Sequence, residues 1–459
     1  METADTADVD ALRAGVATED ITPPPGVRLS GFAGRDWRNA GSRDPLRASA
    51  LYLEQGNRAA AVLVTLDVIG LSPRDDARLR RAIAAPLGIG ADAVLVACSH
   101  THSGPATMNI RATGGKEAAW TREVLARATR AAERAKETAG AVGRVEAGSA
   151  PCGASVNRRV RLPSGEIVMG EGEGFRDPQC RVLTLRSEAG TPLATLFHYA
   201  MHPVSLDRDN RFTSGDWVAV ARERIEAEAG CPALFVQGCC GDINPRVRGS
   251  GACADLLGAQ VADAALAALG GMRPLADVRL GTGAAAARLP LQPLPDPGAL
   301  ARVEADAVET LARRDAPLAI RQIAQADREW VRACRRRGGN PPRETIPARL
   351  QALTLGEVTL VSLPGEPFAR TGQMVRDQVP GAWPVGYAGS NLGYLCPNDV
   401  LEAGGYEADV AYRLYGEQNF GPGTEAALVR AAARAARLAA RAAATGSRAD
   451  RSAPTRELR

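Results

Sequence analysis

Four short apolar runs end abruptly in polar chemistry: "VLVTLD", "VLVACSHTH", "ATLFHYAMH" and "VTLVSLPGE". Runs this short and this rich in Val and Leu read as buried strands rather than helices, and a strand buried on both faces needs a layer over each. The first two are separated by a helical pattern at 73–84, so strand, helix and strand follow one another. That order predicts an α/β arrangement of layers. In open α/β sheets the carboxyl ends of strands collect ligands, because loops there carry reactive groups on a stiff scaffold.

The rest of the chain extends this reading. Strands are expected at 48–54, 59–66 and 93–97, the first two joined at a Gly-Asn turn. A second helix is expected at 120–140 and a further strand at "GRVEAGSAP", followed by an irregular stretch at 153–178. A hairpin at 181–198 turns at Gly190. Helices at 216–229 and 255–269 flank "ALFVQGCCGDINP", a strand ending in a glycine-rich bend. Segment 303–337 is helical and charged, as an appended lid would be. The hairpin of "IPARLQALTLGEVTLVSLPGEP" ends at Leu363, with helices at 369–379 and 425–444 after it. No internal repeat is visible, and the polar tail from 446 is expected to be disordered.

Composition removes several functions. The apolar fraction of 45% is ample for a core, while 4% aromatic and a net charge of +4 provide neither the basic stripe nor the stacking surface that nucleic-acid recognition uses. The arginines of "RACRRRGG" read as a solvated helix end. The start, "METADTADVDALRAG", is acidic where a secretory signal is basic and then apolar, and no apolar stretch is read as long enough to span a bilayer. A protein without stable membrane insertion, in the reduced cytoplasm, is expected. The nine cysteines carry no spacing typical of a disulfide framework, and the pair Cys239-Cys240 reads as buried and inert.

All four histidines lie just after, or at the end of, such runs: His100 and His102 in "CSHTHSGP", His198 and His202 in "HYAMH". Two residues apart in an extended segment, His100 and His102 face one side. Imidazole nitrogen and carboxylate oxygen are zinc ligands, and Glu366 in "LPGEP" is the best distant oxygen donor. Asp67 comes next, as a ligand or as the group that orients a histidine. Ser99 and Ser103 sit in no nucleophile elbow. From the residues alone three readings stay open: a metal hydrolase, a histidine hydrolase without metal, and a non-catalytic protein with hydrogen-bonded structural histidines.

Taken together, "ITPP", "RDPLRASALYLEQG", "VLVTLDVIG", "CSHTHSGP", "FHYAMHPVSL", "QGCCGDINP", "LPGEPF" and "NLGYLCP" resemble, in this order, the neutral/alkaline non-lysosomal ceramidases, which are zinc-dependent amidases. The resemblance runs over roughly residues 12–440 and is best to the shorter bacterial members. It implies an α/β fold of layered mixed β-sheets flanked by helices. It also implies one catalytic domain over 12–445 with a helical insertion at 300–340. The family's metal ligands fall on His100, His202, Glu366 and Tyr394. His102 matches a substrate-facing histidine, and Arg158 in "ASVNRR" matches an arginine near the site that meets a polar part of the substrate or, equally, fixes its loop. Where the family has serine in a Gly-Asp-Val-Ser-Pro segment, this sequence has Asn244. The expectation is a catalytic domain without the signal sequence and C-terminal immunoglobulin-like domain of the secreted enzymes.

What the resemblance implies is a zinc-dependent hydrolase that cleaves the amide bond of a small N-acyl compound through a metal-activated water. In it, His102 and Tyr394 assist at the carbonyl and Asn244 and Arg158 hold the substrate. The alternatives are an esterase, lactonase or acyl transferase on the same centre, a hydrolase of ceramide or a related lipid amide, and a non-catalytic metal-stabilised binding protein.

Overall fold

A computed structural model describes residues 11–56, 59–337 and 343–445. It is a mixed α/β structure, as expected, but its organisation contains a repeat that the sequence hides. Three units follow one another, each made of three antiparallel strands, a helix, a fourth strand parallel to the third, and a closing helix. The first unit uses strands Leu12–Asp20, Arg47–Gln55, Ala59–Leu66 and Val94–Cys98 with helices Pro73–Leu87 and Ala118–Glu137. The second uses Arg144–Pro151, Gln179–Arg186, Pro192–Tyr199 and Ala233–Gln237 with helices Trp217–Ala229 and Gly251–Gly270. The third uses Leu280–Pro290, Thr345–Leu355, Val358–Ser362 and Ala382–Val385 with helices Ala369–Gln378 and Thr424–Thr445.

Local chemistry explains the boundaries. Ser72 caps Pro73–Leu87 by accepting from the Asp75 amide, Pro73 opens the helix, and Gly88 ends it in the left-handed region. The first strand of each unit carries a glycine against which the closing helix presses its backbone. A Cβ at Gly15 would lie 1.9 Å from Ala135 O, one at Gly148 2.5 Å from Ala268 O, and one at Gly281 2.1 Å from Ala439 O. The repeat therefore resides in glycine-on-alanine contacts, which leave no periodic large side chain to detect. They also account for a core built with few aromatics.

The inner faces of the three sheets share one leucine core, including Leu51, Leu63, Leu183, Leu196, Leu353 and Leu360. Each such side chain contributes roughly 1.5–3 kcal/mol by leaving water. Topology then sorts the loops. Because strands one, three and four of a unit run in the same direction, the connections after all three emerge at one end. Second and third strands meet through short turns at the other end. All long insertions therefore collect on one face.

Two expectations are corrected. The stretch 153–178 is not irregular: Ser155–Arg161 and Ile167–Gly172 pair antiparallel around a bulge at Asn157 and Arg159. Buried Asn157 and Arg158 break the apolar alternation that would have revealed the strand. Helix Gly251–Gly270 is, by length and composition alone, able to cross a membrane. Here it packs Leu257, Val261 and Ala265 against Trp217 and Phe235 in the core. Helices Pro297–Ala312 and Leu318–Arg337 lie between the first two strands of the third unit. The expected tail from 446 lies outside the described residues.

Candidate metal centre

Each unit delivers one key group to the loop-rich end. His100 follows the fourth strand of the first unit, His202 the third strand of the second, and Glu366 the third strand of the third. His100 sits at φ 68°, with its amide held by Val68 O at 3.0 Å. Tyr387, at φ 54°, stacks on its ring at 4.0 Å. Left-handed non-glycine residues are uncommon and cluster at functional sites, so two in ring contact mark this place. Asp216 organises the loop after His202, accepting from the amides of Ser205 and Leu206 at 3.0 and 2.9 Å.

The ring nitrogens settle the chemistry. His100 Nδ1 donates to Ile69 O at 2.6 Å, and His202 Nδ1 to Cys240 O at 2.6 Å. Both protons being taken by backbone carbonyls, both Nε2 atoms carry lone pairs. Each lies 3.4 Å from Glu366 Oε2. His102 Nε2 is 3.2 Å from His100 Nε2, while its own Nδ1 is buried without a partner. The other carboxylate oxygen, Oε1, accepts a short hydrogen bond from the Tyr415 hydroxyl.

Electrostatics agrees. Burial pushes the Glu366 carboxyl upward, but the neighbouring His100 and His202 outweigh it and hold it well below the usual range. Burial lowers His202 to about 4, against the pull of Glu366. Burial, then the proximity of His100 and His202, takes His102 well below its ordinary value. Near neutral pH Glu366 is thus a buried carboxylate, and His102 and His202 beside it are neutral imidazoles. Such a cluster is costly unless a cation sits among the donors. The donor set fits zinc, which takes neutral imidazole and carboxylate, and His202 Nε2 has no hydrogen-bond partner to compete for its lone pair. The ligand atoms of His100, His102 and His202 lie within 4.8 Å of one another, a cluster able to bind a metal ion.

The remaining candidates lie beside it. Glu366–Pro367 pairs in parallel with Tyr394–Leu395, setting Glu366 opposite Tyr394. Buried Arg158 is a fork: Nη2 donates to the Tyr394 hydroxyl at 2.9 Å, Nε to Glu407 at 2.8 Å, and Nη1 reaches Asn244 Oδ1 at 3.5 Å. Burial raises the Tyr394 phenol well above its ordinary range, despite the nearby Arg158.

Three readings resolve differently. His198 stands apart, its Nε2 on Pro384 O at 2.9 Å. Asp67 touches no histidine; it accepts from Arg222 at 2.7 Å and from the Arg47 amide at 2.9 Å. The Cys239 and Cys240 thiols are buried, and burial raises both far from the reactive range. Sequence reasoning missed Tyr387, Tyr415, Tyr406 and Glu407. The last two belong to a single π-helical turn, Tyr406–Val410, and such turns are frequent at functional sites but have no sequence signature.

Comparison with known proteins now has a geometry to meet. Residues 12–267 match the family described as neutral/alkaline non-lysosomal ceramidase, N-terminal. The chain belongs to that family. Among solved structures, the neutral ceramidase from Pseudomonas aeruginosa superposes with a TM-score of 0.70 at 19% identity, covering 94% of this chain and 75% of that one. A ceramidase complexed with C2 gives 0.71, again at 19% identity and with the same coverage. The likeness establishes a ceramidase-type catalytic fold of layered sheets flanked by helices. No curated protein matches the chain in sequence.

Proposed function

We propose that this protein is a zinc-dependent hydrolase of the amide bond in a small N-acyl compound. The observation that carries the reading is the convergence of two backbone-anchored imidazoles on one buried carboxylate oxygen, both with Nε2 lone pairs inward. His100, His202 and Glu366 are the residues that would hold the ion, with Tyr394 beside Glu366 as the fourth. Zinc supplies Lewis acidity there, polarising a carbonyl and making water nucleophilic near neutral pH.

The chain's own groups do the rest. His102, neutral at pH 7 and with its Nε2 3.2 Å from His100 Nε2, passes a proton from its ring to the departing amine. With Tyr394 it offers donors to the developing oxyanion. Arg158 holds the Tyr394 hydroxyl in place, and Asn244, free of charge, bonds a polar part of the substrate through its amide. We read residues 12–445 as one catalytic unit, supported by the core that the three sheets share. Nine free cysteines support a reducing, cytoplasmic setting.

Metal analysis of the purified protein comes first, followed by activity profiling against amides, esters and amine acceptors. Stoichiometric zinc with amide turnover is expected. A protein that binds no divalent metal would sink the proposal, and ester turnover or acyl transfer without amide hydrolysis would reassign the reaction.

A further inference from the structure

Of the three histidines in the cluster, one lacks an anchor. The rings of His100 and His202 are fixed by their Nδ1 hydrogen bonds, but His102 Nδ1 has none. Its orientation comes from packing. Gly31, at φ 96°, lies so close that a Cβ there would sit 2.5 Å from the imidazole, and Phe32 meets the ring edge-on with centroids 5.1 Å apart. Arg35 covers Phe32 at 4.7 Å, and its Nη1 donates to both Ser30 O and His102 O at 2.7 Å. Beyond the 3.2 Å approach of its Nε2 to His100 Nε2, the ring is therefore placed by the loop 30–35.

That loop is held from outside the three sheets. On helix Leu318–Arg337, the Gln322 amide clasps it twice: Oε1 accepts from the Gly34 amide at 2.6 Å, and Nε2 donates to Arg35 O at 3.0 Å. Ala319, one turn before, would be 3.2 Å from a Cβ on Gly34. The same helix face continues at Ala326 and Trp330, spaced as residues sharing one side of a helix are. Ala326 belongs to the same apolar cluster as Leu414 and Ile69, the residue whose carbonyl anchors His100. Trp330 donates to Glu417 O at 3.0 Å and meets Tyr412 edge-on. Neighbouring Asp327 pairs with Arg413 at 3.2 Å. These last contacts brace the turn that presents Tyr415 to Glu366.

We infer that Gln322 is a positioning residue for His102, and that helix Leu318–Arg337 tunes the centre from outside the sheets. The inference rests on the hydrolase reading only for its kinetic arm. With four histidines in the chain, selective ¹⁵N-histidine labelling of the zinc-loaded full-length protein resolves each ring without any substrate. Gln322→Met keeps the length of the side chain and removes both hydrogen bonds; Gln322→Glu keeps the acceptor for the Gly34 amide and loses the donor. The Met variant is expected to shift or broaden the His102 ring signals alone. It should also lower kcat roughly tenfold, since misplacement near 1 Å costs up to about a hundredfold. Zinc content should stay unchanged, and the Glu variant should fall between. Unchanged His102 signals with unchanged kcat would overturn the inference. So would loss of zinc in step with activity and disturbance of all four rings, which mark a merely structural helix. Should the wild type hydrolyse nothing, the spectrum alone decides.

Discussion

His198 and His202 are four residues apart and equally buried, yet they belong to different regions. His198 is inside the strand Pro192–Tyr199, paired in register with Arg181. His202 lies in the loop beyond the strand's carboxyl end. Backbone carbonyls bind both rings, but at opposite nitrogens: Nε2 of His198 by Pro384 O, Nδ1 of His202 by Cys240 O. His198 has a further set of neighbours, Asp177, Arg181 and Arg376, already paired among themselves. His202 faces a carboxylate through a lone pair that has no other use. Burial and aromatic contact are shared; what separates ligand geometry from structural geometry is which nitrogen the backbone has claimed, and what faces the other one.

The largest effect should come from exchanging the two positions in a mutational test. His202→Ala should abolish both zinc binding and turnover, whereas His198→Ala should retain zinc at wild-type stoichiometry; elemental analysis after gel filtration measures both. If the His198 variant were the one to lose metal, the distinction drawn from the ring nitrogens would be wrong. A milder change sharpens the same contrast. Tyr415→Phe removes the donor that fixes Glu366 Oε1 while leaving every proposed ligand in place. Partners of metal ligands typically matter by 10–100-fold, so zinc affinity or turnover should fall by about that factor. A competition titration against a chelator reads the affinity, and an unchanged value would make this hydrogen bond incidental.

How much of this was legible follows from what each group leaves in sequence. Apolar runs ending in His or Glu exposed the strands, the loop-rich end and the residues that converge there. Spacing could not distinguish His198 from His202, because the choice depends on carbonyls contributed by residues 240 and 384. Tyr394 emerged only through family likeness, since tyrosine beside a carboxylate has no local pattern. Tyr387 and Tyr415 were invisible because their roles depend on a left-handed backbone and a distant turn. The threefold repeat was hidden for another reason: its recurrent contact is a glycine against helix backbone, chemistry that an alanine- and glycine-rich chain displays everywhere.

Stability separates the two regions more finely. Truncating His198 to Ala leaves Pro384 O without its donor in a buried place, which costs about 1–3 kcal/mol. Chemical denaturation should show that loss while kcat per bound zinc remains as in the wild type. An equal loss of turnover would mean that this network reaches the centre.

Acidity gives the smallest and most specific effect. Burial, and then the charge of Arg181, lowers His198 to about 3 from an ordinary 6.5, although its bond to Pro384 raises it. In the unfolded chain the ring regains its ordinary value, so between pH 6.5 and 3 the unfolded state binds the extra proton. Folding stability must then fall as pH falls through that window and be unaffected by this ring above it. The contribution is at most about 1.4 kcal/mol per pH unit. Asp177, facing His198 with Arg181 and Arg376, has its carboxyl lowered and also loses stabilising charge on acidification. That loss is common to wild type and His198→Gln, so their difference isolates the imidazole. With zinc removed from both, urea denaturation at pH 7.5, 5.5 and 4.5 should give a shallower acid slope for the glutamine variant. Parallel slopes would mean that His198 is already charged in the folded protein, and that the Asp177 network, rather than the Pro384 carbonyl, governs it.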